Sequence, residues 1–166
     1  MNVFFDTEFT ELGVDPKLIS IGLVSEDGNR TFYAELDDTY ELGDASDFVR
    51  LAVLPLLEGG NKRMSMARLA IILRHWVEGF EQPVMLVTDS LAWDWPWIHE
   101  IFCDKWPENL TRRPLLLKES TLVSYESFVE ATEEAFKSLR RHHSFDDAQA
   151  NRLGWMAAGG FVKAYA

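Results

Sequence analysis

Two acidic side chains stand two residues apart near the start of the chain, where an apolar run over residues 3–5 ends in Asp6 and Glu8. Residues i and i+2 of an extended strand point to the same side, so the two carboxylates can hold one cation together. Carboxylate oxygens are the ligands that hard divalent cations such as Mg²⁺ take. The spacing predicts a pair of metal ligands. The alternative is that Asp6 starts a turn and Glu8 is solvated.

A histidine and an aspartate, two residue types that serve in hydrolytic chemistry, occur close together near the other end of the chain. Residues 142–150 read His-His-Ser-Phe-Asp-Asp-Ala-Gln-Ala. A helix that begins there presents Asp147 to a metal, and His142 lies on the preceding loop. A histidine near its ordinary pKa of ~6.5 is suited to taking a proton from water. His143 competes for this role, and a simple helix cap or a surface histidine is the alternative.

A third candidate lies in mid-chain, where an apolar run gives way to a segment rich in tryptophan. Asp94 stands between Trp93 and Trp95. An aspartate among aromatic side chains is costly to bury without a partner, so Asp94 requires a cation or a helix N-terminus. Asp89 is a rival for the same role.

Taken in chain order, the Asp-x-Glu pair, the mid-chain aromatic-Asp pair and the His-x4-Asp run resemble the three exonuclease motifs of the DEDDh class of the RNase H-like superfamily. This class contains RNase T, oligoribonuclease and polymerase proofreading domains. The run from His142 to Trp155 is similar to the family's His-x-Ala-Leu-Asp-Asp-Ala-x-Ala. The resemblance covers nearly the whole chain. The short length and the Asp-Thr-Glu-Phe opening are most similar to a compact bacterial and phage 3'–5' exoribonuclease subgroup. The middle segment departs from the pattern, because it lacks the Asn that many relatives have before the aromatic-Asp pair.

The resemblance implies a function and a role for each matching residue. It implies that Asp6, Glu8, Asp94 and Asp147 bind two divalent cations, Mg²⁺ or Mn²⁺, and that His142 is the general base. The implied enzyme is a metal-dependent 3'–5' exoribonuclease that releases nucleoside 5'-monophosphates. Its implied substrates are single-stranded RNA, RNA 3' overhangs and short oligonucleotides. A homodimer is a further expectation, and it rests on the dimers that occur among the relatives.

Three further residues are candidates for contact with a nucleic acid. Phe9 and Thr10 resemble the family positions that meet the terminal base and sugar, and a phenylalanine that stacks on a base contributes ~1–3 kcal/mol. A place in the core is the alternative for Phe9. Arg141 is a candidate for backbone phosphates. For Arg140 and Arg141, a favourable position at the end of a helix dipole is the preferred alternative.

The elements that must position these residues follow from the hydrophobic pattern. Strands are predicted over residues 3–5, 18–24, 31–36, 84–88 and 115–117, and helices over about 47–57, 65–80, 93–102, 124–140 and 145–158. The first helix is expected to bury Phe48, Leu51 and Leu54. The order predicts an α/β fold of the RNase H-like kind, a mixed β-sheet with three antiparallel first strands, flanked by α-helices.

Composition limits the other possibilities. The 166 residues predict a single domain over 1–166, and the one cysteine excludes an internal disulfide. No apolar stretch approaches the ~20 residues of a membrane span, and the first residues contain no basic leader, so we expect a cytoplasmic protein. The net charge of −11 is concentrated in residues 1–60, with 13 acids and three bases. Two alternatives stay open: an acidic interaction protein that mimics nucleic acid, and a DNA-preferring 3'–5' exonuclease.

Overall fold

The structure, a computed structural model, describes residues 1–159. A six-stranded mixed sheet has the strand order β4-β3-β2-β1-β5-β6. Its strands are β1 (Asn2–Phe9), β2 (Leu18–Ser25), β3 (Thr31–Leu36), β4 (Arg63–Met64), β5 (Met85–Thr88) and β6 (Leu115–Leu116). The α-helices in the described residues are α1 (Asp47–Ala52), α2 (Met66–Glu78), α3 (Leu91–Ile101), α4 (Tyr125–Ala135) and α5 (Ser144–Ala157). The predicted α/β class with an antiparallel first sheet region is confirmed, and the architecture is consistent with an RNase H-like fold.

The centre of the sheet is built by its most apolar strands. β1 pairs antiparallel with β2 and β2 antiparallel with β3, as a three-strand meander. On its other side β1 pairs parallel with β5, which in turn pairs parallel with β6. This parallel pairing places the second half of β1, with Asp6 and Glu8, beside the carboxyl end of β5, which Asp89 follows.

The two faces of the sheet are covered by different helices. α2 and α3 pack on the face that carries Phe5 and Leu23, through Leu73 and Ile98 among others. α5 packs on the opposite face, where Phe4, Val24 and Val87 meet Ala148 and Trp155. Since side chains alternate along a strand, Asp6 and Glu8 share the face of Phe4, and Thr7 shares the face of Phe5.

Gly22 allows the start of α5 to lie directly on the sheet. It is the β2 partner of Asp6 in the ladder. A Cβ atom built at Gly22 would lie 2.2 Å from the backbone nitrogen of Phe145, closer than any side chain tolerates. The Ser20 and Ser144 hydroxyls, 3.0 Å apart, join the same two elements. A glycine in a strand interior marks such an approach of another backbone, and here it brings the segment before α5 beside β1.

Several predicted boundaries differ from the structure. β1 continues to Phe9, so Asp6 and Glu8 lie within the strand and not after it. α1 is only six residues long, and its buried residue is Val49. Phe48 and Leu51 are exposed and their predicted burial is wrong, because Val49 and Val53 are the residues of this segment that pack against Ile19.

Two other elements depart from the prediction. α4 ends at Ala135, five residues earlier than expected, so Arg140 and Arg141 do not terminate a helix and the dipole interpretation does not apply to them. The two-residue strand β4 is too short to produce a hydrophobic pattern. No helix within residues 1–159 is long and apolar enough to cross a membrane.

Candidate active site

Five carboxylates converge where β1 and β5 end. We call them the acidic cluster, and they are Asp6, Glu8, Asp89, Asp94 and Asp147. The negative charges of the other four all contribute to a raised pKa of Asp6. The sequence-predicted ligands Asp6, Glu8, Asp94 and Asp147 are therefore brought together, and Asp89 is added to them.

One half of the acidic cluster is formed between β1 and the start of α5. A carboxylate oxygen of Glu8, one of Asp147 and a ring nitrogen of His142 lie within 4.8 Å of one another. Asp147 Oδ2 accepts a hydrogen bond from the backbone N–H of His142 at 2.9 Å. The other oxygen of Asp147, Oδ1, is buried and has no hydrogen-bond partner within residues 1–159. This half therefore presents a carboxylate oxygen without a partner in the described chain, beside the imidazole of His142.

The other half joins β1 to the segment between β5 and α3. Carboxylate oxygens of Asp6, Asp89 and Asp94 lie within 4.8 Å of one another. Asp94 approaches from the α3 face and is 1% exposed. Its Oδ1 accepts the Thr7 hydroxyl at 2.6 Å, and its Oδ2 accepts the Thr88 hydroxyl. Asp94 is thus fixed by two buried hydroxyl donors that come from neighbouring strands.

The acidic cluster is electrostatically unfavourable in the absence of a counterion. Burial, then the charges of Asp94 and Asp147, raises the pKa of Asp6 well above its ordinary value. Burial and the neighbouring Asp147 raise the pKa of Glu8 to about 8. Burial likewise raises the pKa of Asp147 to about 7, against the opposing hydrogen bond from His142. For Asp94, burial raises the pKa to about 6 although the two threonine hydroxyls lower it.

His142 and His143 have different surroundings although they are adjacent. His142 has a φ of 67°, in the left-handed region that non-glycine residues rarely adopt. It contacts Phe48 edge-on at 5.0 Å between ring centroids. Burial, then the charge of Arg141, lowers the pKa of His142. His142 is therefore neutral near pH 7 and faces the acidic cluster.

His143 belongs to a second group of polar side chains, which we call the paired cluster: Glu35, Glu58, Arg140, His143 and Asp146. His143 is 2% exposed and stacks on Tyr33 at 4.5 Å between ring centroids. Arg140 Nε donates to Asp146 Oδ2 at 2.6 Å, and Arg140 also pairs with Glu58 at 3.2 Å. Glu35 accepts hydrogen bonds from the backbone N–H groups of Glu58 and Gly59.

Two cavities open beside His142. One, of about 310 Å³, is lined by Asp6, Asp89, His142 and Asp147 on one side and by α4 on the other, and we call it the polar cavity. The second, of about 590 Å³, is more apolar and lies between Glu8, Phe9, Leu12 and Phe48, and we call it the apolar cavity. A charged chain in the first cavity and a flat apolar group in the second would both touch His142.

The three predicted substrate contacts are placed differently. Phe9 lines the apolar cavity and stacks on Trp93 at 5.7 Å between ring centroids. Arg141 lines the polar cavity, and both oxygens of Glu133 hold its guanidinium. Thr10 is fully buried, and its hydroxyl accepts the backbone N–H of Lys17 at 2.9 Å. This structure therefore gives Thr10 a role in holding the loop after β1, and not an exposed surface for a ligand.

Sequence reasoning missed the residues that support the site. Thr7 and Thr88 hold Asp94, and Asn151 donates its side-chain N–H to Asp89 Oδ1 at 2.9 Å. Asn151 lies four residues after Asp147 in α5, and residues at that spacing share a helix face. That spacing and the glycine within β2 are the two signals that could have pointed to these neighbours.

Comparison of the sequence with known proteins identifies two relatives, independently of the geometry of the site. No family model matches the chain. Two curated proteins from Mycobacterium tuberculosis, of strains CDC 1551 / Oshkosh and ATCC 25618 / H37Rv, are 36% identical to it over 110 residues. Each is named a 3'-5' exoribonuclease. The match covers 64% of this chain and 61% of the length of each relative.

Proposed function

We propose that the protein is a metal-dependent 3'–5' exoribonuclease that hydrolyses phosphodiester bonds from the 3' end and releases nucleoside 5'-monophosphates. The observation that carries the proposal is the convergence of five carboxylates and a neutral histidine beside an open cavity. The names of the two mycobacterial relatives support the choice of RNA. Carboxylates that converge around a cavity, four of the five buried or half-buried, are not what an acidic nucleic-acid mimic needs, since such a mimic presents its acids on an exposed face.

The donor set fits divalent cations. Every oxygen of the acidic cluster is a hard ligand of the kind that Mg²⁺ and Mn²⁺ take. Asp147 Oδ1 is buried without a partner among the described residues. The raised pKa values of Asp6 and Glu8 reflect burial together with a repulsion that a cation would relieve. We assign Asp6, Glu8, Asp94 and Asp147 as the residues that hold two such ions. The chemistry that these ions supply when bound is activation of a water and stabilisation of the leaving 3'-oxygen.

The protein's own residues provide the remaining steps. His142, neutral near pH 7, accepts the proton of the attacking water. The water oxygen forms a bond to phosphorus, the bond from phosphorus to the 3'-oxygen breaks, and that oxygen takes up a proton. The products are a nucleoside 5'-monophosphate and a chain that is one nucleotide shorter, with a new 3'-hydroxyl.

Two cavities receive the substrate in this proposal. The terminal base stacks in the apolar cavity beside Phe9, where base–aromatic stacking contributes about 1–3 kcal/mol. Arg141 exchanges one of its contacts with Glu133 for a phosphate oxygen in the polar cavity. The side chain of Arg141 is 49% exposed, so this exchange needs little desolvation.

The test uses single-stranded RNA labelled at its 5' end. With Mg²⁺ or Mn²⁺ we expect a ladder of labelled fragments that shortens from the 3' end, together with nucleoside 5'-monophosphates. A circular form of the same RNA should stay intact, and EDTA should stop the reaction. Cleavage of the circle, or undiminished degradation in EDTA, would overturn the proposal. Faster degradation of DNA of the same sequence would favour the DNA-preferring alternative.

A further inference from the structure

Asp89 is an exposed acid that the fold holds in an unfavourable place. It lies between β5 and α3, at the opening of the polar cavity. One of its carboxylate oxygens lies within 4.8 Å of carboxylate oxygens of Asp6 and Asp94, and like charges this close repel one another. An exposed aspartate relieves such repulsion by turning its side chain into water. Here it does not turn away, so something must hold it.

The residue that holds it is Asn151. The asparagine is 5% exposed, and its Nδ2 donates to Asp89 Oδ1 at 2.9 Å. A buried amide without a partner costs free energy, so the partner of this one is an essential part of its local structure. Asn151 also lies one helical turn after Asp147. One face of α5 therefore supplies one carboxylate of the acidic cluster and fixes a second.

Asp94 has less free acceptor capacity than Asp89 on this side, although each of its oxygens keeps a second lone pair for a cation. Each oxygen of Asp94 already accepts a hydroxyl hydrogen bond, from Thr7 and from Thr88. Asp89 has one oxygen held by Asn151, and the residue is exposed and lines the polar cavity. Its ligand atom lies within 4.8 Å of those of Asp6 and Asp94.

We infer that Asp89 is a fifth oxygen ligand, which completes the cation position formed with Asp6 and Asp94, and that Asn151 is the positioning residue that aims it. The inference rests on the proposed function, because it concerns the same cations. A carboxylate that is kept beside three others by a dedicated buried donor becomes favourable once a divalent cation lies among them. Positioning partners of ligands contribute about 10–100-fold to metal affinity or activity.

The experiment counts bound Mn²⁺ at neutral pH from the electron paramagnetic resonance signal of the free ion, in the full-length chain without RNA. Asp89→Asn keeps an oxygen that can accept from Asn151 but removes the charge. We expect one of the two Mn²⁺ ions, the one held by Asp6, Asp89 and Asp94, to bind at least about 10-fold less tightly. Asn151→Ala should weaken the same Mn²⁺ by about 10-fold. The double variant should bind no more weakly than Asp89→Asn alone, since Asn151 acts through Asp89. Asp104→Asn, which removes an exposed acid beyond the opposite end of α3, is the matched control.

The outcomes separate this inference from the proposed function. Two Mn²⁺ ions bound with unchanged affinity in Asp89→Asn would overturn the inference and leave the proposed function standing. No Mn²⁺ bound to the unsubstituted chain would overturn both. Equal, additive losses from the two substitutions would show that Asn151 acts independently, and a lower melting temperature of Asn151→Ala with unchanged Mn²⁺ affinity would reduce it to a structural residue. Asn151→Ser, which is too short to reach Asp89, repeats the test if the alanine variant does not fold.

Discussion

The acidic cluster and the paired cluster lie on either side of the same short segment, residues 140–147. The pKa of Asp147 in the acidic cluster is raised, whereas the pKa of Asp146 in the paired cluster is lowered. In the paired cluster, burial alone would raise the pKa of Asp146, but its hydrogen bonds with Arg140 outweigh burial and lower it. In the acidic cluster, burial and like charges together raise the pKa of Glu8 to about 8. Asp146 and Glu58 have the charged partner Arg140. The hydrogen bonds that Asp89, Asp94 and Asp147 accept come from neutral groups, and Asp147 Oδ1 has no hydrogen-bond partner within residues 1–159.

The two clusters therefore contribute differently to the stability of the folded protein, although their residues are neighbours in the chain. Charges that the protein pairs with its own groups stabilise the fold and fix the backbone before α5. Charges that it groups without such pairing destabilise the folded state until a counterion arrives, and are typical of functional sites. The contrast also distinguishes the two neighbouring histidines: His142, the proposed base, borders the acidic cluster, and His143 lies in the paired cluster.

The largest effect should follow from removing one charge of the acidic cluster. We expect Asp6→Asn to lower RNA turnover to the background level, because an amide cannot supply the negative charge at the centre of the cluster. Its melting temperature without metal should not fall, since the substitution relieves repulsion. Turnover measured with Mn²⁺, beside Asp104→Asn as the control for a lost surface charge, checks this. Turnover equal to that of the unsubstituted chain would remove the cluster from the mechanism.

The two histidines give the next largest effect. His142→Ala should lower turnover by about 10²–10⁴, the range for loss of a general base. The deficit should shrink as pH rises, because hydroxide replaces the missing base. His143→Ala should cost much less turnover but lower the melting temperature, because it leaves a cavity beside Tyr33. Rates of both variants over a pH series at saturating Mn²⁺ decide between them, and the reverse pattern would move the base to His143.

A smaller effect is expected from the paired cluster. Arg140→Met removes the donor of Asp146 while it keeps an apolar stem of similar length. Because the Arg140 side chain is 40% exposed, we expect a loss of only about 1–2 kcal/mol in the free energy of unfolding. Chemical denaturation measures it. Mn²⁺ binding should be unchanged, and a loss of Mn²⁺ affinity without a loss of stability would contradict the division between the clusters.

The parts of the fold that the sequence predicts are those with a strong local pattern. The predicted bounds of β3 are those observed, and Leu69, Leu73 and Val77 of α2 are buried as the helical period requires. α1 is different, since six residues are too few for a periodic pattern to identify the buried face. There the packing against Ile19 decides which side chains are buried, and that contact is tertiary.

The candidate site divides in the same way. The i, i+2 spacing of Asp6 and Glu8 and the five-residue step from His142 to Asp147 are local, so the pattern could identify them. The hydroxyls that hold Asp94 come from Thr7 and Thr88, which become neighbours only because β1 pairs parallel with β5. Such partners follow from strand order and not from spacing along the chain.

The central claim, that the carboxylates of the acidic cluster are a cation site, is tested most directly by thermal unfolding between pH 5 and pH 8.5 with EDTA or with Mn²⁺. The pKa values of Asp94, Asp147 and Glu8 in the folded protein are raised to about 6, 7 and 8. The contribution of these groups to the stability of the folded state is therefore fully present below the ordinary carboxyl pKa. It is lost as pH rises through the raised pKa values, because the carboxyl groups must then ionise beside one another.

In EDTA we expect the melting temperature to fall as pH rises from 5 to 8.5, and to fall less steeply in Asp6→Asn. Mn²⁺ should restore it at pH 8 by several degrees and have little effect at pH 5, where protons already neutralise the carboxylates. Arg140→Met should show the same Mn²⁺ response as the unsubstituted chain. A melting temperature at pH 8 that Mn²⁺ leaves unchanged, or raises equally in Asp6→Asn, would contradict the account.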